Sequence, residues 1–374
     1  MAVFQITFSP SGPYFFGDEK GFAFADGKNG EYGKLYYIKG ENTPLQTTIL
    51  GAIRYLLLPE KTFAAAADAA HLIGKESFDP GSDHLLSFGA IKRLSALFLC
   101  KGREWFVPTP FDHNEACARQ EQGKTFYTPF ASYAVMETLD GVKLYTPDYD
   151  PKLGITCGYM SLSDAHVENG LFSAVTRAGL NCGTNQDGYF KKDFVALQPG
   201  FSFSVLAEID ETVATLPARS VVRMGQNKVP FSVEVTKQDF GTEEVCRRAQ
   251  AVIAGCRKHV RYPDGKNYRF VYAPADVLPE GYDTQDLYSG CAFAVTKFRH
   301  LRNLKTKAFN GAARFEKSTT LNRLLRGGSI FVVEQGNHLS CLTDRQSLRI
   351  ANATLIGCNG LVWEKENAYE NNTL

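Results

Sequence analysis

The stretch from Thr43 to Leu58, TPLQTTILGAIRYLLL, constrains the chain most. Leu45, Ile49, Ala52, Ile53 and Leu56 recur at helical spacing and define one apolar face. Thr43 is expected to cap the helix, and Pro44 to take its first position, where a missing N–H costs nothing. A helix with such a face has to lie against a sheet or other helices, so it belongs to the core. Its first turn carries Gln46, Thr47 and Thr48, where backbone N–H groups lack intrahelical partners. Such an end can hold an anion such as phosphate. It also reads as an ordinary capped core helix.

The flanking sequence supplies strands for this helix. Residues 2–9 alternate, with Phe4, Ile6 and Phe8 on one side and Gln5 and Thr7 on the other, as in a strand with one buried face. The Gly- and aromatic-rich segment Pro10 to Gly40 predicts a long hairpin or loop. Residues 61–70 predict a second short helix, and Ser95 to Val107 a strand pair turning at Lys101-Gly102. Pro108 and Pro110 then stop regular structure, and residues 111–165 read as an insertion. Order returns over 171–209, with turns expected at Arg177-Ala178-Gly179 and Gln186-Asp187-Gly188. Val213 to Arg219 marks a domain boundary.

The second half is expected to open with the strand VPFSVEVTKQ, followed by a helix from Thr242 to Lys258 with Val245, Ala249, Val252 and Ile253 inward. YRFVYAP, CAFAVTKF, GGSIFVVEQG and IGCNGLVWE read as strands. The expected fold class is α+β: two ferredoxin-like (RRM-like) domains, 1–215 with an insertion at about 111–165, and 216–364. The polar residues 365–374 are expected to be a disordered tail.

A formal net charge of +1 means that any basic binding face must be local. The most unequal block is Lys297 to Arg326, with Lys297, Arg299, Arg302, Lys305, Lys307, Arg314, Lys317, Arg323 and Arg326 against the single acid Glu316. Phe298, Phe309 and Phe315 are interleaved with them. Basic groups hold phosphates without reading sequence, and aromatic rings stack on splayed bases. The same block also fits an acidic protein partner. Gly327-Gly328 would let a backbone approach a ligand, or simply form a turn. Arg177, Gly179, Lys191 and Lys192 form a second possible phosphate-facing group, and Arg219, Arg223, Gly225, Asn227 and Lys228 a third.

Signals for catalysis are poor, and a His–Tyr acid–base pair for RNA cleavage would have to be assembled in space from distant residues. The histidines show no H-x-x-x-H or H-E-x-x-H spacing, and the chain has neither a G-x-S-x-G elbow nor a G-x-x-x-x-G-K-[ST] loop. Asp18 and Glu19 could bind a metal, but read as solvated loop acids. The nine scattered cysteines form no C-x-x-C pair, so neither a zinc site nor any other cofactor is expected. With no apolar run of about 18 residues and no basic-then-apolar leader, a cytoplasmic protein without a membrane partner is expected.

Six pieces in order resemble one family. PYFFGDEKGF resembles its opening aromatic-acidic loop, and TPLQTTILGAIRYLLL its first-helix motif, centred on Gly51-Ala52-Ile53-Arg54. SFGAIKRLSALFL followed by WFVPTPFDH resembles the segment ending in a Pro-x-Pro-x-Asp turn. TRAGLNCGTNQDGYF resembles its Arg-x-Gly stretch, VVRMGQNKVPFSV its glycine turn, and GGSIFVV with IGCNGLV its closing strands. The family is the RAMP superfamily, in particular the third subunit of type III-B (Cmr) CRISPR effector complexes. Only Gly225 stands where related proteins often carry a glycine pair, which keeps a related type III subtype open.

The resemblance implies a non-catalytic subunit with two RAMP domains. It would bind the 5′ handle of the CRISPR guide RNA and contact the large polymerase-like subunit and the backbone RAMP subunit. Gln46, Thr47, Thr48, Arg54, Arg177, Gly179, Lys191, Arg223, Asn227, Lys228, Arg302, Lys305, Lys307, Phe309, Arg314, Arg326, Gly327 and Gly328 are the candidate RNA-binding residues. A metal-independent endoribonuclease acting on guide-RNA precursors is the alternative, and a protein–protein adaptor a third reading.

Overall fold

The computed structural model describes residues 1–17, 22–24, 35–59, 69–138, 141–150, 158–181, 188–263, 267–281, 285–309, 312–336, 339–344 and 346–363. The predicted helix over 61–70 and the tail 365–374 fall wholly or mostly outside them. The chain begins with β1 (Ala2–Pro10), β2 (Phe16–Gly17), β3 (Phe22–Phe24), β4 (Leu35–Glu41), α1 (Gln46–Leu57) and α2 (Ala70–Ile73). Next come β5 (Ile91–Leu94), β6 (Phe98–Lys101), β7 (Glu104–Pro108), β8 (His113–Glu121), β9 (Lys124–Pro129), β10 (Ala134–Thr138) and β11 (Gly141–Tyr145). Then follow β12 (Tyr159–Ser161), β13 (Val167–Glu168), β14 (Phe172–Asn181), β15 (Gly188–Leu197), β16 (Ser202–Ile209), β17 (Arg219–Met224) and β18 (Val229–Gln238). The last part holds α3 (Glu244–Cys256), β19 (Tyr268–Tyr272), α4 (Gln285–Ser289), β20 (Phe293–Val295), β21 (Phe298–Phe309) and β22 (Ala312–Leu325). It closes with β23 (Ile330–Glu334), α5 (Ser340–Thr343), α6 (Leu348–Leu355) and β24 (Val362–Trp363). This is a mixed α/β chain of mostly antiparallel sheets with few helices.

The large sheet runs β13-β12-β7-β6-β16-β1-β18-β17, with β5 also on β16. The alternation in β1 sets its two faces: Ile6 and Phe8 join the α1 side of the core, while Gln5 and Thr7 meet the Ser204 hydroxyl. β1 lies between β16 and β18, with Ile6 opposite Val205 on one side and Val235 on the other. The strand Val229–Gln238, expected to open the second half, therefore completes the first sheet. An apolar alternation states that a strand has one buried face, but not which sheet supplies it.

Helix α1 buries Ile49, Leu50, Ile53, Leu56 and Leu57 against that sheet. Each contributes roughly 1.5–3 kcal/mol relative to exposure. The helix begins at Gln46 rather than Thr43, and Leu45 takes the cap position without a side-chain bond. Thr43 cannot cap it, because its carbonyl and hydroxyl accept from Arg299 instead.

Helix α3 packs between sheets. Val245, Ala249 and Ile253 share one apolar core with Phe98, Trp105 and Val107 of the large sheet and with Phe270, Tyr272, Ile330 and Val332 of a second sheet. That second sheet runs β20-β23-β19-β24, and its other face packs Val271, Phe331 and Val333 against Leu287, Leu339 and Leu342. Residues 111–165 form hairpins β8–β9 and β10–β11 and strand β12. They bridge the halves: Tyr133 stacks on Tyr262 with centroids 5.2 Å apart, and the Leu144 N–H donates to the Ala292 carbonyl (2.8 Å). The basic block forms the hairpin β21–β22, paired from Phe298–Leu325 to Phe309–Ala312 with a register shift between Arg302 and Leu304.

At the end of that hairpin Gly328 adopts φ +99°, and its carbonyl accepts from the Phe111 N–H (2.8 Å). A Cβ there would be driven into the Phe111 ring. Gly328→Ala is therefore expected to destabilise the fold by about 1–3 kcal/mol. Urea denaturation of the variant checks this, and an unchanged midpoint would refute it.

Candidate nucleic-acid interface

Strands β14 and β15 place Arg177 directly opposite Lys192. Like charges in that position destabilise a sheet unless something compensates them. Arg177 is exposed, with its guanidinium 4.7 Å from the Phe194 ring centroid. Lys192 is only 9% exposed, and its ammonium lies 3.7 Å from the Phe15 centroid and 5.4 Å from that of Phe194. The same ammonium donates to Gln226 Oε1 (2.6 Å) and Asn227 Oδ1 (3.2 Å). Burial lowers its pKa. Among the described residues neither cation is paired with a carboxylate. Asp193 accepts instead from Thr176 (2.7 Å) and Tyr37.

The turn after β17 brings Gln226 and Asn227 to this spot. Gly225 has φ +76°, a Cβ on it would sit 2.5 Å from the Phe15 carbonyl oxygen, and the Gln226 N–H donates to that oxygen (3.0 Å). Asn227 of the third group read from the sequence thus joins Arg177 and Lys192 of the second, while Arg219 of the third group pairs with Glu234 (3.5 Å) instead. Arg177-Ala178-Gly179 is not a turn: these residues run inside β14, where Gly179 faces Phe190. The turn expected at Gln186-Asp187-Gly188 lies largely outside the described residues. Lys191 is exposed, one residue out of phase with Lys192, and Arg223 and Lys228 are exposed nearby in sequence. Phe15, Phe194 and Gln226 are absent from the groups read from the sequence, which do include Lys192. The period-2 placement of Lys192 and Phe194 in GYFKKDFVAL was the available signal.

The entry to α1 is arranged differently. Arg299, 4% exposed, binds Thr43, Asp276 Oδ2 (3.2 Å) and Glu41 Oε2 (3.9 Å). Arg326 pairs with Glu41 and donates to the Phe298 carbonyl (3.2 Å). The Gly327 N–H donates to Asp276 Oδ1 (3.1 Å). Two acids therefore balance two arginines, and part of the basic block is neutralised inside the fold. Beside this cluster lies a cavity of about 170 Å³, lined among others by Gln46, Thr109, Lys297 and Gly327.

Several candidates from the sequence turn inward here. The Gln46 amide nitrogen donates to the carbonyls of Ser95 (2.9 Å) and Gly357 (3.1 Å). Arg54 donates to the carbonyls of Glu76 and Gly74, both at 2.9 Å. Thr47 and Thr48 are half-buried, and the Thr48 N–H donates to the Leu45 carbonyl (2.9 Å). The Gly327-Gly328 pair admits protein rather than ligand: a Cβ on Gly327 would meet Pro108 Cγ at 3.0 Å and the Pro274 carbonyl at 3.2 Å. Arg302 is half-buried opposite Leu321. Lys305, Lys307, Phe309 and Arg314 have backbone positions on β21–β22, where Lys307 faces Arg314, but their side chains lie outside the described set.

One cluster has metal-ligand chemistry. Ligand atoms of Glu104, Asp164 and His166 lie within 4.8 Å of one another. Lys124 contacts Asp164 at 2.6 Å, His166 Nδ1 contacts the same carboxylate at 2.6 Å, and Ser161 donates to Glu104 (2.7 Å). Burial would raise the Asp164 pKa, but these donors hold it well below the usual carboxylate range. Protein groups already satisfy the set, so it works as an ion-pair cluster. Asp18 and Glu19 lie outside the described residues.

No protein-family model matches the chain, and no curated protein matches it. Among solved structures it is similar to a chain of "Cryo-EM structure of the Type III-B Cmr-beta bound to cognate target RNA", with TM-score 0.45, 11% identity and 95% of each chain covered. A second similarity is to a chain of the same complex with target RNA and AMPPnP, at TM-score 0.43 and 12% identity, covering 95% of this chain and 94% of that one. A third is to a chain of "Crystal structure of Csm3-Csm4 subcomplex in the type III-A CRISPR-Cas interference complex", at TM-score 0.33 and 10% identity, covering 88% and 92%. No helix among the described residues is long and apolar enough to cross a membrane.

Proposed function

We propose that this chain is a non-catalytic RNA-binding subunit of a type III CRISPR effector complex. In this reading it is built on RAMP domains, holds the 5′ handle of the guide RNA, and joins the large polymerase-like subunit to the backbone RAMP subunit. The observation that carries RNA binding is the Arg177–Lys192 pair, two facing cations without a carboxylate among the described residues, set on Phe15 and Phe194. A phosphate between them would relieve their repulsion, and the amides of Gln226 and Asn227 beside Lys192 suit phosphate or 2′-hydroxyl contacts. The six ordered sequence pieces supply the choice of family and, with it, the handle and the partner subunits.

The test is to mix the purified chain with end-labelled RNA bearing a CRISPR repeat-derived 5′ handle, with and without EDTA. Binding without defined products is expected in both arms. Specific cleavage abolished by one point substitution would replace this reading with the endoribonuclease. Absence of any RNA retention would remove it altogether.

A further inference from the structure

Among the described residues β14 ends its sheet and is paired with β15 on one side only. Its outer side is a long, regular edge. The ten residues from Phe172 to Asn181 follow β15 without a register shift, and they include no proline and one charged residue, Arg177. The direction of the free backbone groups follows from the far side of β15. There Val195 and Tyr14 exchange both backbone bonds (2.8 and 2.9 Å), so Val195 aims no backbone group at its β14 partner, Ala174. By the antiparallel alternation Ala174, Thr176 and Ala178 turn their N–H and C=O groups away from β15, to the open edge. Their side chains are small and exposed, which leaves room for another backbone to approach. Proteins blunt long open edges with proline, bulges or charges, or cover them. Apart from Arg177, β14 has none of these devices.

Such an edge fits an extended peptide backbone. A second copy of this chain does not suit it. With Ala174, Thr176 and Ala178 as the bonding positions, a two-fold pairing of β14 with itself centres on Thr176 or on Arg177. Either centre sets two Arg177 side chains diagonal or opposite to one another, and like charges so placed are destabilising. The adjoining strand adds Lys191 and Lys192, opposite Ala178 and Arg177. Arg177 takes a non-hydrogen-bonded position of any new pair, where facing side chains lie closest, so a carboxylate there meets its guanidinium. We propose that β14 accepts an added antiparallel strand from another protein, with an acidic residue opposite Arg177. Carboxylate and phosphate are alternatives at Arg177, and strand addition does not depend on the RNA-binding reading.

The test uses the capped peptide Ser-Val-Thr-Val-Glu-Val-Thr-Ser, whose Glu stands opposite Arg177 in the proposed pairing. A second peptide has Lys in place of Glu. A third keeps Glu but is N-methylated at the two valines beside it, whose N–H groups would bond to Thr176 and Ala178. Each is titrated against the full chain, and amide hydrogen exchange over Phe172–Asn181 is followed with and without peptide. Saturable binding of the first peptide is expected, with exchange slowed in that strand. The Lys peptide is expected to bind roughly fivefold more weakly, and the N-methylated one roughly tenfold or more. Ala174→Pro is expected to weaken the first peptide roughly fivefold with the β14–β15 pairing kept, because the N–H that it removes faces the open edge.

No saturable binding of the acidic peptide would overturn the proposal. So would equal binding of the N-methylated peptide, the result for charge attraction without strand pairing, or slowed exchange only outside β14. Equal affinity for the Glu and Lys peptides would overturn the acidic partner. A chain that sediments as a dimer, and as a monomer after Ala174→Pro, would make the occupant a second copy and overturn the one proposed. If Ala174→Pro lowers the melting temperature, the N-methylated peptide decides the backbone contact without it.

Discussion

Replacing Arg177 by Gln and Lys192 by Met together is expected to weaken single-stranded RNA binding by about 100-fold or more at fixed salt. Contacts between charged groups are worth roughly 1.5–3 kcal/mol each. Each neutralised phosphate contributes about −0.7 to the log–log salt slope, so removing two should flatten it by about 1.4. Stability should move the other way. Lys192 is a largely buried cation held by two amide oxygens and two ring faces, and methionine keeps its length without the desolvation cost. Salt titration beside thermal denataturation of the double variant reads both quantities. A slope equal to wild type would remove this pair from the RNA interface, and a lower melting temperature would make Lys192 a structural group.

Asp112→Asn is expected to cost about 3–5 kcal/mol of stability, because it leaves Arg257 buried without its counter-charge. Asp112 is 0% exposed and Arg257 1%. Arg257 pairs with Asp112, donates to the Tyr262 hydroxyl (2.8 Å) and lies 3.5 Å from the Phe270 centroid, so it fastens the end of α3 to the loop after β7. Burial alone would raise the Asp112 pKa, but the Arg257 charge and the His113 hydrogen bond outweigh it and the net shift is downward. A carboxylate with a lower pKa in the folded state stabilises above its unfolded value of about 3.9. That contribution is lost as pH falls through the folded pKa. Urea titrations at pH 7 and at about pH 3 should show the wild type losing more than the variant over this interval. Parallel losses would show that the pair contributes nothing to acid sensitivity.

Periodicity made the local elements readable. The apolar faces of α1 and α3 and the two sides of β1 follow directly from spacing, because burial selects one face per turn or per pleat. Pairing across the chain was not readable. Nothing in VPFSVEVTKQ distinguishes a partner 220 or more residues earlier from one that follows, and β18 takes the earlier one. The same limit governs the site. Charge density drew attention to Lys297–Arg326, yet Arg299 and Arg326 meet Glu41 and Asp276 from distant segments. Arg177, Lys192 and Asn227 carried no density at all and become a site only when two strands and a glycine turn converge. Gln46 was singled out only as a first-turn residue of α1, and its inward bonds to Ser95 and Gly357 are visible only once its surroundings are known.

The position of β1 bears on how the chain is made. Its partners Ser202–Ile209 and Val229–Gln238 leave the ribosome some 200 residues after it. At about 5–20 residues per second this delay is roughly 10–50 s. Throughout that time Phe4, Ile6 and Phe8 belong to a strand with two open edges, and α1 has no finished sheet to lie on. β1 is thus secured only once Gln238 has been made, and a nascent chain halted before that residue exposes an apolar edge suited to chaperones rather than to RNA.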